Sequence, residues 1–101
     1  MQNFFTPKSV AVIGASKNKK KIGHIIFKQI ITKYKGKVYP INPKEEKILN
    51  KKCYPSVLKV RAKIDLAVIA VPAKAALNVI ESCGKKKIRN IILVTSGFKE
   101  I

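Results

Sequence analysis

Residues 9–24 read SVAVIGASKNKKKIGH. The first part is an unbroken run of valine, isoleucine and alanine that stops at Gly14. That is the pattern of a strand buried on both faces, as in a parallel sheet. A loop follows with four lysines, Lys17, Lys19, Lys20 and Lys21, before Gly23 opens another apolar stretch. From there Ile26, Phe27, Ile30, Ile31 and Tyr34 recur every three or four positions. This spacing predicts a helix over residues 23–34 with one apolar face, stopped at Gly36. A strand that turns at a glycine into a helix is one βα unit.

The rest of the chain repeats that alternation. KVYPI, residues 37–41, reads as a second strand closed by Asn42 and Pro43, and residues 43–49 as a short helix. Cys53 and Tyr54 suggest an edge strand or turn, because Pro55 cannot donate to a ladder. DLAVIAV, residues 65–71, is a third buried strand stopped by Pro72. Residues 73–83 read as a helix with Ala76, Leu77, Ile80 and Cys83 on one side and Gly84 as its stop. NIILVT, residues 90–95, is a fourth buried strand, broken by Ser96 and Gly97. Alternating strands and helices predict an α/β, Rossmann-like three-layer domain with a mainly parallel sheet and right-handed crossovers. At 101 residues the chain is one domain. It stops just after a strand and its loop, where another helix would follow, so the domain reads as partial at its C-terminal end.

The formal net charge of +17 comes almost wholly from lysine, with Arg61 and Arg89 the only arginines. Such a balance favours anionic partners: nucleic acid, acidic lipid surfaces or phosphorylated metabolites. The lysines are spread along the chain with no aromatic-basic motif, which disfavours nucleic acid. The apolar runs fall far short of the ~20 residues of a membrane span, and the first residues lack a secretory pattern. Cys53 and Cys83 lie outside any CxxC spacing and read as reduced core thiols of a cytoplasmic protein. Tyr34, Tyr39 and Tyr54 read as half-buried packing residues. His24, the only histidine, reads as a helix-surface residue.

In an open parallel sheet, ligands bind beyond the carboxyl ends of the strands. The four strands end in Gly14-Ala15-Ser16-Lys17, Asn42-Pro43-Lys44, Val71-Pro72-Ala73 and Thr95-Ser96-Gly97, all on one expected rim. Gly14 allows a sharp turn and leaves space where a pyrophosphate can approach. Ser16 offers a hydroxyl, Gly23 marks a helix N-terminus that favours an anion, and the lysines add charge. The nine-residue spacing of the glycines matches neither GxGxxG nor GxxxxGK[ST]. An NAD site usually carries an acid after its second strand. Here Lys44 follows, which suits a phosphorylated ribose, as in NADP or coenzyme A.

PKSVAVIGAS, GKVYPINPK, YPSV, DLAVIAVPA and ILVTSGF follow one another in order. Together they resemble the N-terminal CoA-binding domain of NDP-forming acyl-CoA synthetases and, more distantly, the alpha subunit of succinyl-CoA synthetase. The resemblance runs from about Phe5 to Phe98. It implies that Gly14, Ala15, Ser16 and Lys17 wrap the CoA phosphates and that Lys44 contacts the nucleotide end. It also implies that Val71, Pro72 and Ala73 pack beside adenine and pantetheine, with Thr95, Ser96 and Gly97 near the thiol arm. Coenzyme A or acyl-CoA is then the ligand, and further synthetase domains, including an ATP-grasp part, are the partners. The family's phosphorylated histidine sits in a domain this sequence does not contain, so the chain alone is expected to be inactive. The alternatives are an NADP site of an oxidoreductase and a basic nucleic-acid binder.

Overall fold

The computed structural model describes residues 6–94. Four parallel strands, β1 (Ser9–Ile13), β2 (Lys37–Ile41), β5 (Leu66–Ile69) and β6 (Asn90–Leu93), form one sheet in the order β2-β1-β5-β6. Helix α1 (Ile22–Lys33) connects β1 to β2, and α2 (Ala73–Lys86) connects β5 to β6. The chain thus builds outward in opposite directions from the central pair β1 and β5. That junction is the switch point at which α/β sheets open a crevice. Between β2 and β5 lie a small antiparallel hairpin, β3 (Lys47–Ile48) and β4 (Lys51–Lys52), and a 3-10 turn (Val57–Lys59).

The alternation of side chains along a strand explains the two cores. Val10, Val12 and Val68 face α1 and pack with Phe27, which is wholly buried. Ala11, Ile13, Ala67 and Ile69 face the other way and pack with Cys83, Val79 and Ile80 of α2. Every residue of β1 is buried, as its sequence predicts. Pro40 is tolerated because β2 is an edge strand. Its carbonyl accepts from the Tyr54 N–H at 2.9 Å, and the Tyr54 carbonyl accepts from the Asn42 N–H at 2.9 Å.

Several local expectations are corrected. Residues 43–49 hold a turn and β3 rather than a helix. Gly36 does not cap α1; Tyr34 ends it in an extended conformation, its N–H donating to the Ile30 carbonyl. Gly84 lies inside α2, which runs on to Lys86. Lys87 takes the left-handed conformation (φ 68°), and Ile88, buried beyond it, donates its N–H to the Cys83 carbonyl at 2.9 Å. The apolar contact of Ile88 fixes where the helix stops, as in a Schellman-type ending. Leu77 is 75% exposed, because the core-facing side of α2 is set by Ala76, Val79, Ile80 and Cys83. β6 is exposed along its whole length rather than buried: none of its residues joins either core cluster.

Candidate functional site: a cationic cleft at the switch point

The carboxyl ends of β1, β2 and β5 open into a cleft of about 1010 Å³. Gly14, Ser16 and Gly23 line it from the first βα unit, and Asn42, Pro43 and Lys44 from the second strand end. Val71 and Pro72 line it from the third. These eight expected residues therefore converge. Ala15 does not join them: it is fully buried in the core beneath α1. Lys17 is also absent from the lining, its ammonium instead 3.4 Å from the Glu45 carboxylate. Ala73 sits at the start of α2, exposed and outside the lining. Thr95, Ser96 and Gly97 lie outside the described residues.

The glycines act differently from the sequence expectation. Gly14 has φ +96°, and a Cβ there would stand 2.2 Å from the Ala70 carbonyl oxygen. A side chain would strike the backbone just beyond β5, at the wall of the cleft, before it met any ligand. A Cβ on Gly23 would stand 1.8 Å from the Gly14 carbonyl oxygen. The pair lets the start of α1 close onto the end of β1, which brings the helix N-terminus to the rim.

Asn42 ties the rim together. Its Nδ2 donates to the Ala15 carbonyl at 2.8 Å, and its Oδ1 accepts from the Lys44 N–H at 2.8 Å. The first and second loops are thereby locked, and Lys44 is held beside the cleft. Ser16 is similarly used: its Oγ accepts from the Asn18 N–H at 3.0 Å. His24 corrects a further expectation. It is buried, 6% exposed, and its Nδ1 lies 2.8 Å from the Ser16 carbonyl oxygen, so it braces the loop from behind.

The electrostatics of the cleft are one-sided. Lys20, Lys21 and Lys44 line it, and no acid does among the described residues. Both helices begin on this rim without a side-chain cap and without an acid in the first turn. The N–H groups of Ile22 and Gly23 in α1, and of Ala73 and Lys74 in α2, have no partner among the described residues. Free N–H groups and the helix dipole favour an anion at both places. Sequence reading passed over the opposite wall. It is made by Pro55, Ser56 and Val57 and by Ala75, Asn78, Val79 and Ser82 of α2. The 75/78/79/82 spacing is a helical face, but a run of small and polar residues does not distinguish a cleft wall from a solvated surface.

Burial pushes the Cys53 and Cys83 thiols above their ordinary range. Neither cysteine is bonded to another, and no cluster of metal-ligating side chains occurs among the described residues. No helix of the described residues is long and apolar enough to cross a membrane.

A family model described as a CoA binding domain matches residues 8–100. An ADP-forming acetate–CoA ligase of Methanocaldococcus jannaschii is 50% identical over 95 residues, 94% of this chain and 13% of that protein. The dinucleotide forming acetyl-coenzyme A synthetase 1 of Ca. Korarchaeum cryptofilum, solved in complex with phosphate and ADP, superposes with a TM-score of 0.88 at 46% identity. That match covers 93% of this chain and 20% of the other. A conserved hypothetical protein from Pyrococcus furiosus superposes with a TM-score of 0.81 at 32% identity, over 91% of this chain and 78% of its own. The chain spans 13–15% of the length of the first curated relatives it matches; others are alpha subunits of such ligases. By sequence and by fold, the chain belongs to the family of CoA-binding domains found in ADP-forming acyl-CoA synthetases.

Proposed function

We propose that the cleft binds coenzyme A, with its phosphates over the N-termini of α1 and α2 and among Lys20, Lys21 and Lys44. One observation carries this reading: two uncapped helix N-termini and three lysines converge on a cleft that has no acidic lining residue among the described residues. The fit is chemical as well as electrostatic. A cleft of about 1010 Å³ is of cofactor size. Lys44, held by Asn42, suits the 3′-phosphate of the CoA ribose. Glu45 is paired with Lys17, and neither Glu45 nor Glu46 lines the cleft, where an acid would meet an unphosphorylated ribose diol.

CoA is a substrate in this reading, and this domain binds and orients it. Within an ADP-forming acyl-CoA synthetase the overall reaction is acyl-CoA + ADP + phosphate ⇌ acid + CoA + ATP. Phosphoryl transfer needs bound metal and positioned charge. In this reading that step belongs to other parts of such a synthetase. Calorimetric titration with CoA, dephospho-CoA and NADP tests the ligand. CoA is expected to bind about tenfold more tightly than dephospho-CoA, the scale of one charge-assisted phosphate contact. Equal affinities would remove the role of Lys44, and a preference for NADP would favour an oxidoreductase site.

A further inference from the structure

The first loop sorts its four lysines. Lys17 pairs with Glu45, Lys19 lines a separate groove beside Lys28 and Lys33 of α1, and only Lys20 and Lys21 line the cleft. Charge does not explain the sorting, because Lys19, Lys20 and Lys21 are consecutive and chemically alike. The backbone of the loop does. Residues 18–21 form a turn in which the Lys21 N–H donates to the Asn18 carbonyl at 3.0 Å. The Asn18 side chain closes the same turn: its Oδ1 accepts from the Lys20 N–H at 3.0 Å. Asparagine suits this place because its short side chain reaches the backbone two residues on. The Lys21 carbonyl then accepts from the His24 and Ile25 N–H groups at 3.0 and 3.2 Å, so the turn runs directly into α1. The segment is tied at its start as well. Ser16 Oγ accepts from the Asn18 N–H at 3.0 Å, and the Ser16 carbonyl faces His24 Nδ1 at 2.8 Å. All of these bonds are made within the chain, none through a ligand.

We propose that Asn18 is a positioning residue, which presets Lys20 and Lys21 on the rim before a ligand arrives. This rests on the reading of the cleft as a CoA site. Asn18 is exposed and absent from the cleft lining. It therefore acts through the backbone of the two lysines and not by touching the phosphates. A loop that had to be ordered on binding would lose affinity to that ordering. A loop already held by Asn18 avoids the loss, and the two ammonium groups meet the anion from fixed anchor points.

Three forms of the 101-residue chain test this: wild type, Asn18→Ala, which removes the Oδ1 acceptor, and Asn18→Ser, which keeps a side-chain acceptor in the turn. Amide ¹⁵N relaxation is measured without ligand, CoA affinity by calorimetry, and stability by urea midpoint. In the free wild-type chain Lys20 and Lys21 are expected to be as rigid as α1, with order parameters of about 0.85. Asn18→Ala is expected to lower them and to weaken CoA about fivefold, the scale of one net hydrogen bond, with the urea midpoint unchanged. Asn18→Ser is expected to recover most of both losses. A mobile wild-type loop, an Asn18→Ala chain that binds CoA like wild type, or a loss that Asn18→Ser does not recover would overturn the proposal. An affinity loss matched by a lowered urea midpoint would also overturn it, by assigning Asn18 to the fold alone. A wild-type chain that binds no CoA would instead overturn the proposed function, and the relaxation data would still decide whether Asn18 holds the loop.

Discussion

Gly14 and Asn42 show how single residues make the rim. A side chain at Gly14 meets the Ala70 carbonyl in a conformation (φ +96°) that L-residues rarely adopt. Gly14→Val is therefore expected to destabilise the fold by about 2–6 kcal/mol, adding backbone strain to overpacking. Urea unfolding followed by circular dichroism checks this. A stably folded variant that merely fails to bind CoA would place the side chain in the ligand space instead. Asn42→Ala removes the bonds to the Ala15 carbonyl and the Lys44 N–H. It is expected to cost about 2 kcal/mol of stability and to weaken CoA binding, because Lys44 loses its tether. The importance of position 14 was legible in the sequence, but the reason for it was not. A glycine after a strand announces a turn; only the register of β1 against β5 shows that the obstacle is the carbonyl that follows the neighbouring strand. His24 was misread for a related reason. Its position in the first helical turn is visible, whereas the loop that folds back over it is not.

At the scale of elements, both helix N-termini lack the side-chain caps and first-turn acids that would stabilise them. Lys21 occupies the N-cap of α1, where Asp or Ser would satisfy a free N–H group. Lys21→Asp is expected to stabilise the chain by about 1 kcal/mol and to weaken CoA binding severalfold. Thermal unfolding and calorimetry on one sample read both effects; a variant that binds CoA as before would deny the N-terminus its role. The helices and the parallel sheet were legible because burial on both faces gives β1 an unmistakable apolar run. β6 carries the same kind of run yet is exposed. Composition records that a strand is apolar, not whether other elements pack over it. The α2 wall of the cleft was invisible for the opposite reason, since Ala75, Asn78 and Ser82 carry no pattern that distinguishes lining from surface.

At the scale of the whole molecule, buried thiols and excess charge set the response to solution conditions. Desolvation raises both cysteine pKa values above those of the unfolded chain. The folded state therefore holds these protons more tightly. Their contribution is fully present below about pH 8.5, the unfolded thiol value, and is lost as pH rises beyond it. Urea midpoints measured across this range should be level on the acidic side and fall on the alkaline side. A rise with alkalinity would contradict the burial of both thiols. The net charge of +17 implies that CoA affinity falls with ionic strength, as the Debye length shrinks below ~10 Å. Charge alone left nucleic acid and metabolite readings open; only the convergence of Lys20, Lys21 and Lys44 on one cleft gives that charge a direction. The most direct test is an amide chemical-shift map of the chain titrated with CoA. The largest changes are expected at Lys20, Lys21, Ile22, Gly23, Lys44 and Lys74, around the two helix N-termini. Saturable changes clustered elsewhere, such as on the Lys47–Lys52 hairpin, or no saturable change at all, would contradict CoA binding at the switch point.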